Sequence, residues 1–212
     1  MFKLYFSPHA CCTSVHIILE ELELPFELIY VGKYADAEVK RVLAKVNPLQ
    51  TVPVLELMDG RVITQSTAIL LYLAENYPKS NLLGVAESSV KTELVKWLSF
   101  VASDVHKAFS PLFLLDKISR SESAQEDIRV WSFKNIHKYF MFLDEHLSDK
   151  LYLVAEKFSI ADAYLFVVYN WTKYVSFSVK QYPNLNNYIE GISERSSVKN
   201  VLQRELHYFL RN

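Results

Sequence analysis

Apolar positions along this chain change their period near residue 80. Leu4-Tyr5-Phe6 is a short apolar run stopped by Ser7-Pro8, which predicts a buried strand. Val15, Ile18, Leu19 and Leu22 recur at three- and four-residue intervals, predicting a helix over 11–23 that breaks near Leu24-Pro25. Phe26 to Val31 reads as a second strand. Val39, Val42, Leu43 and Val46 line one face of a helix over 36–46. Val52 to Leu57 and Arg61 to Thr64 flank Asp59-Gly60, a pair that supplies the positive φ of a tight turn, so this stretch reads as a hairpin. A third helix over 66–76 ends before Pro78. From there the helical period dominates. Val90, Leu94, Trp97, Val101, Val105, Ala108 and Leu112 carry one apolar face through about six turns. Further helices are expected at 121–147, 160–174, 183–194 and 197–208. Ser159-Ile160-Ala161-Asp162 has the form of a capping box with Asp in the usual Glu position, a structural signal rather than a chemical one.

A strand, a crossover helix and a strand imply a parallel pair. The hairpin then adds antiparallel strands to give a small mixed sheet, the arrangement of a thioredoxin-like domain. The expected fold class is therefore α/β followed by all-α. A thioredoxin-like domain spans 1–80, a linker lies within 77–86, and a helical bundle spans 87–212.

Composition narrows the function. Of 212 residues, 23 are Lys or Arg and 24 are Asp or Glu, a net charge of −1. Binding along a nucleic-acid backbone needs a basic face, which this balance argues against. No apolar run is long enough for a transmembrane helix, and the first residues break at Pro8 and His9 before a signal peptide could form. The expectation is a cytoplasmic protein with neither a nucleic-acid nor a membrane partner. The only cysteines are the adjacent Cys11 and Cys12, which cannot form a disulfide framework.

Four places could carry chemistry. Cys11 opens the first helix, where unpaired N–H groups and the positive dipole end stabilise a thiolate; the bland alternative is a small buried hydrophobe. There is no Cys-x-x-Cys pair. Val52-Pro53 sits at a strand start, and a cis bond there would turn the Val52 backbone outward to pair with an extended peptide; a trans proline is the ordinary case. Gln65-Ser66 begin the third helix with no capping box, so its N–H groups could hold a carboxylate, or Thr64 or Ser66 could simply cap it. Ser99, Ser103, His106 and Ser110 form a polar stripe opposite the apolar one, either a lined cleft or a solvated face.

Taken in order, these segments resemble a glutathione transferase. Cys11, Asn47-Pro48 with Thr51-Val52-Pro53-Val54, Gln65-Ser66-Thr67-Ala68-Ile69, and Ser159-Ile160-Ala161-Asp162 all fall where that family has its motifs. Trp97-Leu98, the run from Ala102 to Lys107 and Ser110-Pro111-Leu112-Phe113 are similar to the bacterial beta class. The resemblance implies a role for each residue. Cys11 would lie at the sulfur of glutathione. Val52, beside a cis-Pro53, would pair with its cysteinyl backbone, and Gln65 and Ser66 would hold its γ-glutamyl end. Lys33 would meet the glycyl carboxylate. Ser99 and Ser103 would belong to the glutathione-binding set, and His106 and Lys107 would line the sulfur and substrate region. Asp104 would reach the γ-glutamyl amine of a partner subunit's glutathione. At 100° per residue Asp104 and His106 lie roughly 160° apart, so one chain could not easily turn both into one cleft. The chain departs from the beta class in having Ser14-Val15-His16 where Ser-Pro-His is usual, Ser99 where Asn is common, and a shortened loop around Lys33.

The activity implied is transfer of glutathione, as co-substrate and without a metal, to a small electrophile by a homodimer. A glutathione-dependent thiol–disulfide oxidoreductase using Cys11 is the alternative enzyme, and a non-catalytic interaction module on the same fold is the third reading.

Overall fold

The computed structural model describes residues 1–32, 35–84 and 88–210. It divides into two compact units, Met1–Leu83 with Ile192–Asn212, and Gly84–Gly191.

The first unit holds strands β1 (Phe2–Phe6), β2 (Phe26–Tyr30), β3 (Val54–Glu56) and β4 (Val62–Thr64) in the order β2-β1-β3-β4. β1 and β2 are parallel, with Phe2 opposite Phe26. β3 runs antiparallel to both β1 and β4. Helices α1 (Cys12–Glu21), α2 (Ala37–Val46) and α3 (Ser66–Asn76) follow in the expected places. The β3–β4 hairpin turns at Gly60, whose φ of +86° suits glycine, and the Asp59 carboxylate accepts the Arg61 N–H at 3.0 Å. Leu4, Phe6, Val15, Ile18, Leu55 and Ile69 are fully buried between the sheet and its helices. Each such side chain contributes about 1.5–3 kcal/mol through the apolar surface it removes from water.

The last helix of the chain groups with this unit. Its N-terminal Ser197 hydroxyl donates to Glu21 of α1, and Arg195, just before it, forks onto the same carboxylate. Val198 and Val201 are buried. The segment follows α1 because these contacts, and those of Glu205 with His9, Thr13 and His16, lie on α1 and the turn before it.

The second unit holds α4 (Ser88–Phe100), α5 (His106–Phe109), α6 (Leu115–Ile118), α7 (Glu122–His146), α8 (Ile160–Asn170) and the greater part of α9 (Pro183–Ser193); the chain closes with α10 (Ser196–Leu210) in the first unit. Every residue of α8 from Ile160 to Tyr169 is buried. A helix apolar on all sides must sit inside its bundle, and Ala161 and Ala163 allow close approach. Its N-terminus carries the expected box: Asp162 at the third position accepts the Ser159 N–H at 2.8 Å. The uninterrupted helix expected through Leu112 is not what forms. Residues Val101–Val105 make a π-helical segment between α4 and α5, and Ser110–Phe113 form a 3-10 turn. One wider turn lets Val101, Val105 and Phe109 all stay fully buried while re-aiming α5 and the turn after it. Among the described residues no helix is long and apolar enough to cross a membrane.

Candidate functional site

In the first unit the strand registers decide which residues meet. Tyr5 pairs with Val54, and Val54 with Thr64. The end of β1, the start of β3 and the end of β4 therefore lie side by side along the edge that the strand ends form. The Cys11 turn, Val52-Pro53 and Gln65-Ser66 extend these strands from that edge.

Cys11 is the N-cap residue of α1 and is half-buried. Its thiol reaches the Val52 carbonyl oxygen at 3.5 Å. Cys12 has the opposite environment. It has no exposed surface, its sulfur accepts the Ser7 N–H at 3.3 Å, and its thiol donates to the Ser7 carbonyl at 3.1 Å. Burial pushes its thiol well above the usual range, with Cys11 and Glu205 adding to the effect. The doublet thus contains one structural thiol and one that reaches the surface.

The Val52–Pro53 bond is cis. Asn47 braces the loop that leads to it. The Asn47 amide donates to the Thr51 carbonyl at 2.8 Å, and its side-chain oxygen accepts the Leu49 N–H at 3.2 Å. Asn47 is buried, so these bonds are shielded from water. The Val52 side chain packs against the cluster of Tyr5, Leu43 and Val54. Gln65 stands at the N-cap of α3 with a φ of +71°, exposed and without a side-chain cap bond. Ser66, the first helical residue, is buried. The α3 amides at this end therefore have no cap from the Gln65 side chain, which suits an incoming carboxylate. Lys33 lies outside the described residues.

In the second unit the polar stripe is largely turned back on its own helix. Ser103 donates to the Ser99 carbonyl at 2.8 Å and to Asp104 at 2.7 Å, and Ser110 donates to the His106 carbonyl at 3.3 Å. Ser99 and Lys107 are exposed. Asp104 is half-buried and meets the Tyr139 hydroxyl; burial pushes that phenol up, and Asp104 adds to the effect by charge and hydrogen bond. Asp104 thus has partners within its own unit. The π segment contains Asp104 and precedes His106, so the 100° step does not apply between them.

Burial also changes the ionisation of His106. Its Nδ1 lies 2.7 Å from the Tyr164 hydroxyl, and its ring meets Trp171 edge-on at 4.7 Å. Phe113 also packs edge-on against Trp171, at 5.6 Å. Burial, and then the charge of Lys107, lower its pKa to about 4. His106 is consequently a neutral imidazole at physiological pH, able to donate or accept but carrying no charge.

A measurable pH dependence results. With a folded pKa below the unfolded value near 6.5, the unfolded chain binds more protons between about pH 4 and 6.5. The stabilisation is present above pH 6.5 and is lost as pH falls towards 4. The full difference is about 3 kcal/mol. His106→Gln should flatten the dependence of unfolding free energy on pH across this window. An unchanged slope in urea titrations at pH 4.5–6.5 would place the histidine in a more solvated setting.

The sequence reading missed Glu205, the buried acid of α10 that binds the Cys11 turn, together with its partners Thr13 and His16. Position Asn47 was visible only as part of a motif, with no role attached.

Two family models match: glutathione S-transferase, N-terminal domain, over residues 9–76, and glutathione S-transferase, C-terminal domain, over residues 100–196. Glutathione S-transferase GstA of Escherichia coli O157:H7 is 32% identical over 208 residues, covering 96% of this chain and 98% of that protein. The bacterial beta class glutathione S-transferase of Sphingomonas chungbukensis is 33% identical, with a TM-score of 0.84 over 96% of this chain and 98% of its own. A sphingomonad glutathione S-transferase solved in complex with glutathione is 32% identical, with a TM-score of 0.83 and the same coverage.

Proposed function

Because this chain belongs to the glutathione transferase family, we propose that it conjugates the thiol of reduced glutathione to small, hydrophobic electrophiles. The observation that carries this reading is the convergence of Cys11, the cis Val52–Pro53 bond and the Gln65-Ser66 helix start along the edge that the strand ends form. Extended peptide laid along Val52 would find a thiol-stabilising turn at one end and α3 amides at the other. Val52 and Pro53 take the cysteinyl backbone, Gln65 and Ser66 the γ-glutamyl carboxylate, and Lys33 the glycyl end. The resemblance assigns His106 and Lys107 to the sulfur and substrate region, and Ser99 and Ser103 to the glutathione-binding set. Lowering a thiol from about 9 to about 6.5 takes roughly 3.4 kcal/mol. A helix N-terminus provides about 0.3–1 kcal/mol of that, so donors near the sulfur must provide the rest. The protein works in the cytoplasm, where glutathione is kept reduced.

Gln65→Ala should raise the KM for glutathione by roughly tenfold, the value of one charge-assisted hydrogen bond, and leave that of the electrophile nearly unchanged. Steady-state kinetics with each substrate varied in turn checks this, and an unaltered glutathione KM would overturn the placement. Retention on glutathione-agarose separates this reading from a non-catalytic docking module.

Thiol–disulfide exchange is the second reading. The exposure of Cys11 beside a sequestered Cys12 favours it, since one thiol can then attack a disulfide without an internal partner.

The family resemblance further supports a homodimer in which Asp104 binds the γ-glutamyl ammonium of the partner's glutathione. Mixing a Cys11→Ala, Gln65→Ala chain with an Asp104→Asn chain then places all defects in one heterodimer site and none in the other. Activity should rise as heterodimers form. Heterodimers confirmed by mass without a rise in activity would confine Asp104 to its own chain.

A further inference from the structure

Three donors from the start of the chain converge on one carboxylate near its other end. Glu205, on α10, has no exposed surface. Its Oε2 accepts the His9 N–H at 2.9 Å and the Thr13 hydroxyl at 2.8 Å, and its Oε1 meets His16 Nδ1 at 2.9 Å. His9 and Thr13 stand two residues before and two residues after Cys11. His9 takes a φ of +60°, in the left-handed region that non-glycine residues enter uncommonly, though histidine more often than most. The His16 ring lies edge-on to Phe6 and Phe26, and its Nε2 has no hydrogen-bond partner among the described residues. Glu205 is thus the polar anchor for both His16 and the turn.

A buried carboxylate is a poor choice for helping a nearby thiol to ionise. Its negative charge opposes a second one, as its effect on the neighbouring Cys12 shows. What it supplies is geometry. It clamps the turn on both sides of Cys11 and so fixes the direction in which the sulfur leaves the helix.

We propose that Glu205 is a positioning residue: through His9 and Thr13 it aims the Cys11 sulfur along the line on which glutathione is held. The proposal rests on the reading of Cys11 and Val52 as the sulfur end of the glutathione site. The reaction that reports it is disulfide exchange. The Cys11 thiolate attacks one sulfur of oxidised glutathione, a Cys11–glutathione disulfide forms, the old S–S bond breaks, and one glutathione leaves as thiolate.

The test compares this reaction with alkylation of Cys11 by iodoacetamide, both located by peptide mass. Iodoacetamide is small and needs no alignment, whereas oxidised glutathione must dock. The ratio of the two rate constants therefore reports aim, and a residue that only stabilises the fold leaves it unchanged. Thr13→Val, nearly isosteric, should lower the ratio about threefold to tenfold, and Glu205→Ala about thirtyfold or more, in the range that a misplacement near 1 Å produces. Glu205→Gln should stay within about threefold of wild type. Its amide oxygen can accept from His9 and Thr13 while its NH2 meets the other tautomer of His16. Wild-type ratios in Thr13→Val would overturn the proposal, whether or not Glu205→Ala folds. A wild-type chain that forms no mixed disulfide at Cys11 would sink the reading of Cys11 as the thiol at the sulfur end of the glutathione site, and this proposal with it. Normal uptake with unchanged ratios would sink this proposal alone.

Discussion

Replacing Asp162 with alanine should destabilise the helical unit by about 3–5 kcal/mol, the loss expected when one partner is deleted from a buried charged network. The carboxylate has no exposed surface. Its Oδ1 accepts the Leu153 N–H at 2.9 Å and the Tyr188 hydroxyl at 2.7 Å, and its Oδ2 accepts the Ser159 N–H at 2.8 Å and the Ser159 hydroxyl. Alanine would leave two buried amides and two hydroxyls without this acceptor. The hydroxyls can rotate towards other groups, but the amides cannot. Each orphaned donor costs about 1–3 kcal/mol, and relaxation keeps the sum below simple addition. The effect spreads beyond the cap of α8, because Leu153 and Tyr188 tie the loop before it and the helix α9 to the same side chain. Urea unfolding followed by far-ultraviolet circular dichroism measures the loss, and the melting temperature should fall by about 10 °C. A loss under about 1 kcal/mol would mean that water enters the site and replaces the carboxylate.

The second large effect is at Cys11. Oxidised glutathione should add one glutathione mass to the wild-type chain and to Cys12→Ala, and none to Cys11→Ala. The distinction comes from the two environments: Cys12 is sealed against the Ser7 backbone and its thiol is pushed up, while Cys11 reaches the surface at the helix start. Disulfide exchange should fall by roughly a hundredfold or more in Cys11→Ala, because the attacking atom is gone. Conjugation should survive in good part, since its nucleophile is the sulfur of glutathione. Addition at Cys12, or loss of conjugation with exchange intact, would reverse these assignments.

What could be read from the sequence was local. The apolar period placed α1, α2 and α3 and the hairpin, because each buries a face set by residues three, four or two apart. The Ser159–Asp162 box was legible for the same reason, although the bonds from Leu153 and Tyr188 were not. The site motifs were legible as positions, and the registers between β1, β3 and β4 were needed to bring them to one edge. Two features were hidden. The π segment at Val101–Val105 satisfies the same three-and-four spacing as an ordinary helix, so spacing alone carries it straight through. Glu205 reads as one charge on the polar face of a terminal helix. Its burial depends on His16, 189 residues earlier, and no local pattern carries that information.

The clamp on Glu205 also orders events in time. Chains are synthesised from the N-terminus, and domains generally fold as their residues emerge. Here the sheet and α1 come out first, yet the Glu205 carboxylate that binds His9, Thr13 and His16 is added only when residue 205 has been made. The segment Gly84–Gly191 can collapse while the first unit still waits for its final helix. A premature stop between residues 191 and 205 would therefore release a product whose middle is entire and whose beginning lacks its anchor.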